Sequence, residues 1–224
     1  QSWAGLSVKM DPSIKLSKSL YDQTPNLEIL SKQGVIFSNA YSPSPVCSPT
    51  RISIQTGKTP ARLNWTKAES FYHENDRLYL IPPRHNKSIK ASELTIGEAL
   101  KARNYYTAHF GKWHLNGLRG PGVPILTEDT HSPGKFGFDH WLTVTNFFDI
   151  DPLMSENGSF KDLKGNSSEI IVKKALEFIK EKTSQNLPFF AVIWDGSPHD
   201  PFLAIEKDRD NFKDLDNQSQ HHYG

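Results

Sequence analysis

The sequence contains only one cysteine, Cys47, in 224 residues. A single thiol excludes an internal disulfide framework and any metal site built from several thiolates. The sequence also lacks an excess of positive or negative charge, because it contains 26 Lys and Arg residues and 25 Asp and Glu residues. Such a balance does not favour nucleic acid or an anionic membrane as a partner. No run approaches the ~20 apolar residues of a membrane helix, so partners have to be argued from a local site.

Short β-rich runs alternate with helical segments, and this alternation predicts an α/β fold with a central, mostly parallel sheet flanked by helices on both faces. The apolar run 189–194 favours a strand that is covered on both faces. Loops with few periodic runs are predicted at 58–90 and 116–166. Helices are predicted from Pro25 to Gly34, at 51–56, at 92–103 and at 168–182, and further strands at 35–37 and 105–110.

Ligands of such sheets bind at the carboxyl ends of the strands, so the loops after Phe110 and Trp194 are the places to expect chemistry. Cys47 lies just before the predicted helix 51–56. A helix amino terminus favours an anion or a thiolate, and Arg51 adds a fixed positive charge one turn away. A small buried hydrophobic residue is the alternative role for Cys47, and local chemistry alone leaves both roles open.

Four segments occur in one order along nearly the whole chain. The first segment is Thr24-Pro25-Asn26-Leu27, which leads to Gly34-Val35-Ile36-Phe37. The second is Cys47-Ser48-Pro49-Thr50-Arg51, followed by Gly57-Lys58-Thr59-Pro60. The third is Phe110-Gly111-Lys112-Trp113-His114, and the fourth is Pro198-His199-Asp200-Pro201. Gly137-Phe138-Asp139 lies between the last two. Together these segments resemble the formylglycine-dependent type I sulfatases of the alkaline-phosphatase-like superfamily. The resemblance implies that residues 1–224 are the amino-terminal portion of a sulfatase catalytic domain, truncated at both ends.

The resemblance implies a catalytic nucleophile at Cys47, which a maturation enzyme oxidises to formylglycine. The hydrated aldehyde attacks sulfur with one oxygen, and the other oxygen later expels sulfate, which serine or cysteine cannot do. Covalent catalysis of this kind divides a difficult hydrolysis into two steps. Unmodified thiol is expected to be nearly inactive.

The same resemblance gives roles to five further side chains. Arg51 holds the nucleophile and its surroundings, and Lys112 contacts a sulfate oxygen and the formylglycine oxygen. His114, placed two residues on along a strand-like segment, takes the remaining hydroxyl proton. His199 contacts the ester oxygen and protonates the leaving group, and Asp200 lines the substrate pocket. Outside this context, each of these residues is expected to be an ordinary solvated side chain.

Sulfatases bind a divalent cation, usually calcium, through an Asp-Asp pair and a later Asp-Asn pair, and neither pair has a matching segment here. Calcium requires about six to eight oxygen ligands, whereas the recognisable contribution of this chain is the modified Cys47. The chain alone is therefore expected to form no stable metal site and to show no turnover.

The resemblance implies a sulfated small molecule or glycan as substrate, and a periplasmic, extracellular or lysosomal location. Neither nucleic acid nor a membrane span is expected. Two alternatives remain open: a non-catalytic homologue that binds sulfated glycans through Arg51 and Lys112, and a phosphatase or phosphodiesterase on the same fold. Relatives of the latter kind typically present Ser or Thr as nucleophile.

Overall fold

The computed structural model describes residues 3–68, 85–117, 125–146, 150–197, 199 and 202–219. The chain divides into two compact units, one made of Gln1–Ser42 with Phe202–Gly224 and the other of Pro43–Pro201. Within the described ranges, every helix is too short or too polar to cross a membrane.

The first unit contains helix α1, Pro25–Gln33, which has the predicted bounds. Proline at the first helical position fits the fixed φ of the ring, and Gly34 follows the last turn. The predicted strand at 35–37 is wrong, since this segment is non-regular and Val35 and Phe37 are 78% and 71% exposed. An extended segment becomes a strand only when another strand pairs with it, which no residue of the described ranges does here. A short helix, Glu206–Arg209, leads into a 3₁₀ turn, Asp210–Phe212.

Among the described residues, the second unit is built on a mixed five-stranded sheet. The strands are β1 Tyr106–Lys112, β2 His140–Val144, β3 Leu153–Glu156, β4 Ser159–Asp162 and β5 Phe189–Trp194. Strand β1 pairs in parallel with β2 and with β5, whereas β2, β3 and β4 pair antiparallel, so the order is β4-β3-β2-β1-β5. This confirms the predicted α/β class with a helix-flanked sheet, and the antiparallel edge makes the sheet mixed.

Within the described ranges, three helices and one 3₁₀ turn accompany the sheet: α2 Cys47–Thr56, α3 Ile96–Lys101, the turn Pro133–Phe136 and α4 Ser167–Ser184. Helix α3 begins with a capping box in which Thr95 and Glu98 satisfy each other's backbone N–H groups, and the Asn166 side chain caps α4. Helix α2 begins at Cys47 itself, one turn earlier than predicted.

Alternation along β1 divides the buried side chains into two cores, one on each face of the sheet. Ala108 and Phe110 join the core beneath α4, whereas Trp113 joins the core on the α2 side.

The expectation that β5 is covered on both faces is confirmed, because Phe190 and Trp194 pack against the core on the α2 side and Phe189 and Ala191 against the core beneath α4. Ile193, near the end of the strand, is the exception at 42% exposed. Among the described residues β5 pairs only with β1, so it lies at a sheet edge. The interpretation of 116–166 as loop is wrong, because this range contains β2, β3 and β4.

Gly111 permits the closest backbone approach in the sheet, at the end of β1. Its φ is +99°, and an added Cβ would lie 2.0 Å from the Trp194 carbonyl oxygen of β5. We expect Gly111→Ala to lower the free energy of unfolding by more than about 3 kcal/mol, since backbone strain and a backbone clash combine. Urea denaturation measures the loss.

Gly57, at the carboxyl end of α2, provides the matched control. Its φ is +66°, but an added Cβ would meet no atom within 4 Å. Gly57→Ala should therefore cost only about 1–2 kcal/mol from the left-handed backbone. Equal losses in the two variants would contradict a clash at Gly111.

Candidate active site

The site lies where the carboxyl ends of β1 and β5 meet the amino terminus of α2. Gly111 of β1 is in register with Trp194 of β5, so the residues that follow each strand emerge side by side. This is the edge at which ligands of parallel sheets bind. Four of the predicted residues, Cys47, Arg51, Lys112 and His114, come together here.

Cys47 is the first residue of α2 and is half-buried. Its Sγ lies 3.3 Å from Nδ1 of His114, within contact distance for a sulfur hydrogen bond. His114 is not on a strand, because β1 ends at Lys112 and His114 itself has a φ of 55°. A left-handed backbone is costly for a residue other than glycine, and strain of this kind is frequent at functional sites.

Arg51 lies one turn along α2 from Cys47. Its Nη1 donates a hydrogen bond of 2.8 Å to the carbonyl oxygen of Lys112, and its Cζ lies 4.7 Å from the centroid of the Trp194 ring. Burial lowers the Arg51 pKa to about 10, while Cys47 and Asp195 oppose that shift. The guanidinium therefore stays charged at neutral pH, and its plane is held by a carbonyl and an indole face.

Lys112, the last residue of β1, is only 2% exposed. Burial lowers its pKa to about 8, and the nearby Arg51 acts in the same direction. Cys47 opposes the shift through its charge and through a hydrogen bond with the Lys112 side chain. Position 47 thus faces two cationic side chains and one imidazole.

The imidazole of His114 is uncharged near neutral pH. Burial is the largest cause of a pKa of about 3, and the nearby Lys112, Arg51 and His199 lower the pKa further. The neutral ring offers a lone pair to a group at position 47, and its low pKa makes it a weak base. The site therefore combines positive charge with an uncharged imidazole, an arrangement suited to an anionic substrate.

His199 lies on the loop after β5 and is exposed, and its backbone N–H donates to the carbonyl oxygen of Gly196 at 3.2 Å. Its influence on the pKa of His114 places it within electrostatic reach of the site. Asp200 lies outside the described residues, as do Pro198 and Pro201.

Sequence reasoning missed two residues at the end of β5. Trp194 supports the guanidinium of Arg51 with its ring face. The carboxylate of Asp195 accepts hydrogen bonds from the Ser168 hydroxyl at 2.9 Å and from the Ser197 backbone N–H at 3.2 Å. Their position at the carboxyl end of a parallel strand was a usable signal, because ligands of such sheets bind at that edge.

The described residues do not fit a calcium ion. Within the ranges that the structure covers, no group of three or more His, Cys, Asp or Glu side chains is placed to hold a metal. The charged neighbours of Cys47 are cations, whereas calcium requires about six to eight oxygen ligands.

The fold resembles that of a solved structure, Ps i-CgsB, with a TM-score of 0.74 and 21% identity over 98% of this chain and 49% of that chain. This likeness concerns the fold alone, and it agrees with the predicted helix-flanked α/β sheet. A family model described as Sulfatase matches residues 7–223. The chain belongs to the sulfatase family.

Two curated relatives show how much of such a protein the chain represents. It is 32% identical to an ulvan-active sulfatase of Formosa agariphila over 88% of this chain and 33% of the relative. It is 30% identical to the N-acetylgalactosamine-6-sulfatase of Homo sapiens over 90% of this chain and 38% of the relative. The chain thus spans little more than a third of the length of these relatives.

Proposed function

We propose that the complete protein hydrolyses sulfate esters through a formylglycine formed from Cys47. The observation that carries this proposal is the convergence of Arg51, Lys112 and His114 on position 47. Formylglycine supplies a hydrated aldehyde whose oxygen acts as the nucleophile and whose second oxygen allows sulfate to be released.

Arg51 and Lys112 stabilise negative charge at and beside position 47. Arg51 is held in place by the Lys112 carbonyl oxygen and the Trp194 ring, so its charge needs no reorganisation during the reaction. Lys112 is buried, which strengthens its attraction for a sulfate oxygen. Its lowered pKa implies that this attraction weakens as the pH rises through about 8.

His114 and His199 move the protons. Nδ1 of His114 lies 3.3 Å from Sγ of Cys47, and its neutral ring accepts a proton from the group at that position. His199, on the exposed loop after β5, protonates the ester oxygen of the leaving group. Asp200 is proposed to line the substrate pocket, next to His199.

The proposed substrate is a sulfated carbohydrate. The names of the two relatives refer to ulvan and to a 6-sulfated N-acetylgalactosamine, and both describe sulfate groups carried on sugars. A maturation enzyme that oxidises Cys47 and a periplasmic, extracellular or lysosomal location belong to the same proposal. So does a divalent cation, calcium, with Cys47 as one ligand and the others supplied by residues beyond those described.

The experiment measures sulfate release by the complete protein from an activated aryl sulfate and from a panel of sulfated oligosaccharides. The matched phosphate ester is the control substrate. We expect release from the sulfate esters only, together with a tryptic peptide spanning Cys47 whose mass is that of the aldehyde form.

Two outcomes would contradict the proposal. Aldehyde at position 47 without sulfate release would exclude sulfate-ester hydrolysis of these classes. An unmodified Cys47 combined with binding of sulfated glycans would instead favour the non-catalytic homologue, and release of phosphate would favour the phosphatase.

A further inference from the structure

His109 lies in the middle of β1, on the face of the sheet that packs against α2, and its side chain is fully buried. Its ring makes edge-to-face contacts with Trp113, Phe138 and Trp194 at centroid distances of 5.1, 5.5 and 5.3 Å. Neither ring nitrogen has a hydrogen-bond partner within the described part of the chain. None of the roles proposed above uses this residue.

The surroundings of His109 contact its ring and leave both nitrogens without a partner among the described residues. Buried polar atoms without partners destabilise a fold, and a phenylalanine ring makes the same edge-to-face contacts without that cost. Burial and the nearby Arg51 hold the pKa of His109 well below its ordinary value, so the ring is neutral and does not repel the guanidinium. What the position supplies to the site is a rigid, uncharged, planar ring.

The contact that connects His109 to the site is Trp194. Trp113, which contacts both His109 and Trp194, is anchored by its indole N–H, which donates to the His131 carbonyl oxygen at 2.8 Å. Trp194 stacks on Trp113 with an interplanar angle of 27°, and it also contacts the edge of His109. These two rings fix the orientation of the indole on which Arg51 rests.

The orientation of the Arg51 guanidinium depends on this indole, because its hydrogen bonds are few. Its Nη1 donates to the Lys112 carbonyl oxygen, but its Nε is buried without a hydrogen-bond partner among the described residues. A single hydrogen bond to Nη1 does not by itself fix the plane of the guanidinium. The Trp194 ring, 4.7 Å from Cζ, provides the second contact.

We propose that His109 is a positioning residue of the active site, whose ring fixes Trp194 and thereby the guanidinium of Arg51. This inference rests on the proposed sulfatase function for its effect on turnover. Its structural part, the dependence of the Arg51–Trp194 contact on the ring at position 109, is independent of the reaction.

The test compares His109→Phe, which keeps a ring, with His109→Leu, which keeps an apolar side chain but removes the ring. In the complete protein, we expect His109→Phe to retain kcat within about threefold. His109→Leu should lower kcat by about 10–100-fold with little change in KM, because a small misplacement of a catalytic group is sufficient for such a loss. Phe178→Leu, which removes a ring from the core on the opposite face of the sheet, is the control and should leave kcat unchanged.

Crystal structures of the same variants provide a measurement that does not require turnover. The distance from Arg51 Cζ to the Trp194 centroid should stay near 4.7 Å in His109→Phe and lengthen in His109→Leu. An unchanged distance in His109→Leu would overturn the inference, whether or not the protein hydrolyses sulfate esters. Equal loss of kcat in both variants would also overturn it, because the nitrogens rather than the ring would then matter. Absence of turnover in the unaltered protein would contradict the proposed function alone.

Discussion

Steady-state sulfate release by the complete protein is expected to fall by at least about 10⁴-fold when Cys47 is replaced by alanine, because loss of the proposed covalent nucleophile leaves only binding and electrostatic stabilisation. Cys47 is the residue on which the contacts of the site converge, with His114 Nδ1 3.3 Å away and Lys112 hydrogen-bonded to it. The side chain is small and half-buried, so the fold should tolerate Cys47→Ala. The measurement is turnover of an aryl sulfate, with circular dichroism to verify folding.

Ser48→Ala is the matched control for this substitution. Ser48 is the next residue of α2, its side chain is fully buried, and its hydroxyl has no hydrogen-bond partner among the described residues. Its removal should leave turnover nearly unchanged. Cys47→Ser should lose steady-state turnover like Cys47→Ala, since a hydroxyl at this position cannot expel sulfate in the second step. Full turnover by either Cys47 variant would exclude a nucleophile at this position.

Replacing Lys112 with methionine is expected to lower kcat by about 10²–10³-fold, the usual effect of removing one preorganised donor to developing negative charge. Lys112 is 2% exposed and lies beside Cys47, where the proposed reaction develops negative charge. Methionine keeps the length of the side chain and removes its charge. Aryl sulfate kinetics at pH 7 measure the loss.

The same Lys112→Met substitution should raise the free energy of unfolding by roughly 1–3 kcal/mol at neutral pH. The pKa of Lys112 is about 8 in the fold against an ordinary value of 10.5, so the unfolded chain binds the proton more tightly. The charged lysine thus destabilises the fold fully below about pH 8, and the penalty disappears as the pH approaches 10.5. The advantage of the variant should shrink over that window in urea denaturation.

Lys173→Met, on the exposed face of α4, is the control for this prediction. It should change neither turnover nor the pH dependence of unfolding. A Lys112→Met protein that is less stable than the unaltered chain at pH 7 would show that the buried ammonium contributes more through its contacts than it costs through burial.

Local sequence signals predicted the elements that are defined by local interactions. Pro25 and Gly34 bracket α1, and the apolar stripe of α4 predicted a helix that extends only a few residues further in the structure. Strands β2 to β4 were missed because they are short and their stability depends on pairing with one another and with β1. The edge position of β5 could not be inferred either, since an apolar run shows that the faces of a strand are covered but not whether a second strand pairs with it.

The site shows the same division between local and tertiary information. The spacing of Cys47 and Arg51 on one helix and of Lys112 and His114 at one strand end could be read from the sequence. Tertiary packing determines which of these groups are in contact. The Arg51–Trp194 contact joins α2 to β5, and no local sequence pattern predicts it. The left-handed backbone of His114 could not be predicted from the sequence either, because a histidine does not indicate a positive φ.

The parallel pairing of β1 with β5 also determines when the site can form as the chain folds. Parallel strands need a long crossover, and here β2, β3, β4 and α4 all lie between the two partners in the sequence. Contacts between distant segments form slowly, because the entropy of closing the loop opposes them until they are complete. Catalytic competence should therefore return only with the slowest phase of refolding, after most helical signal has recovered.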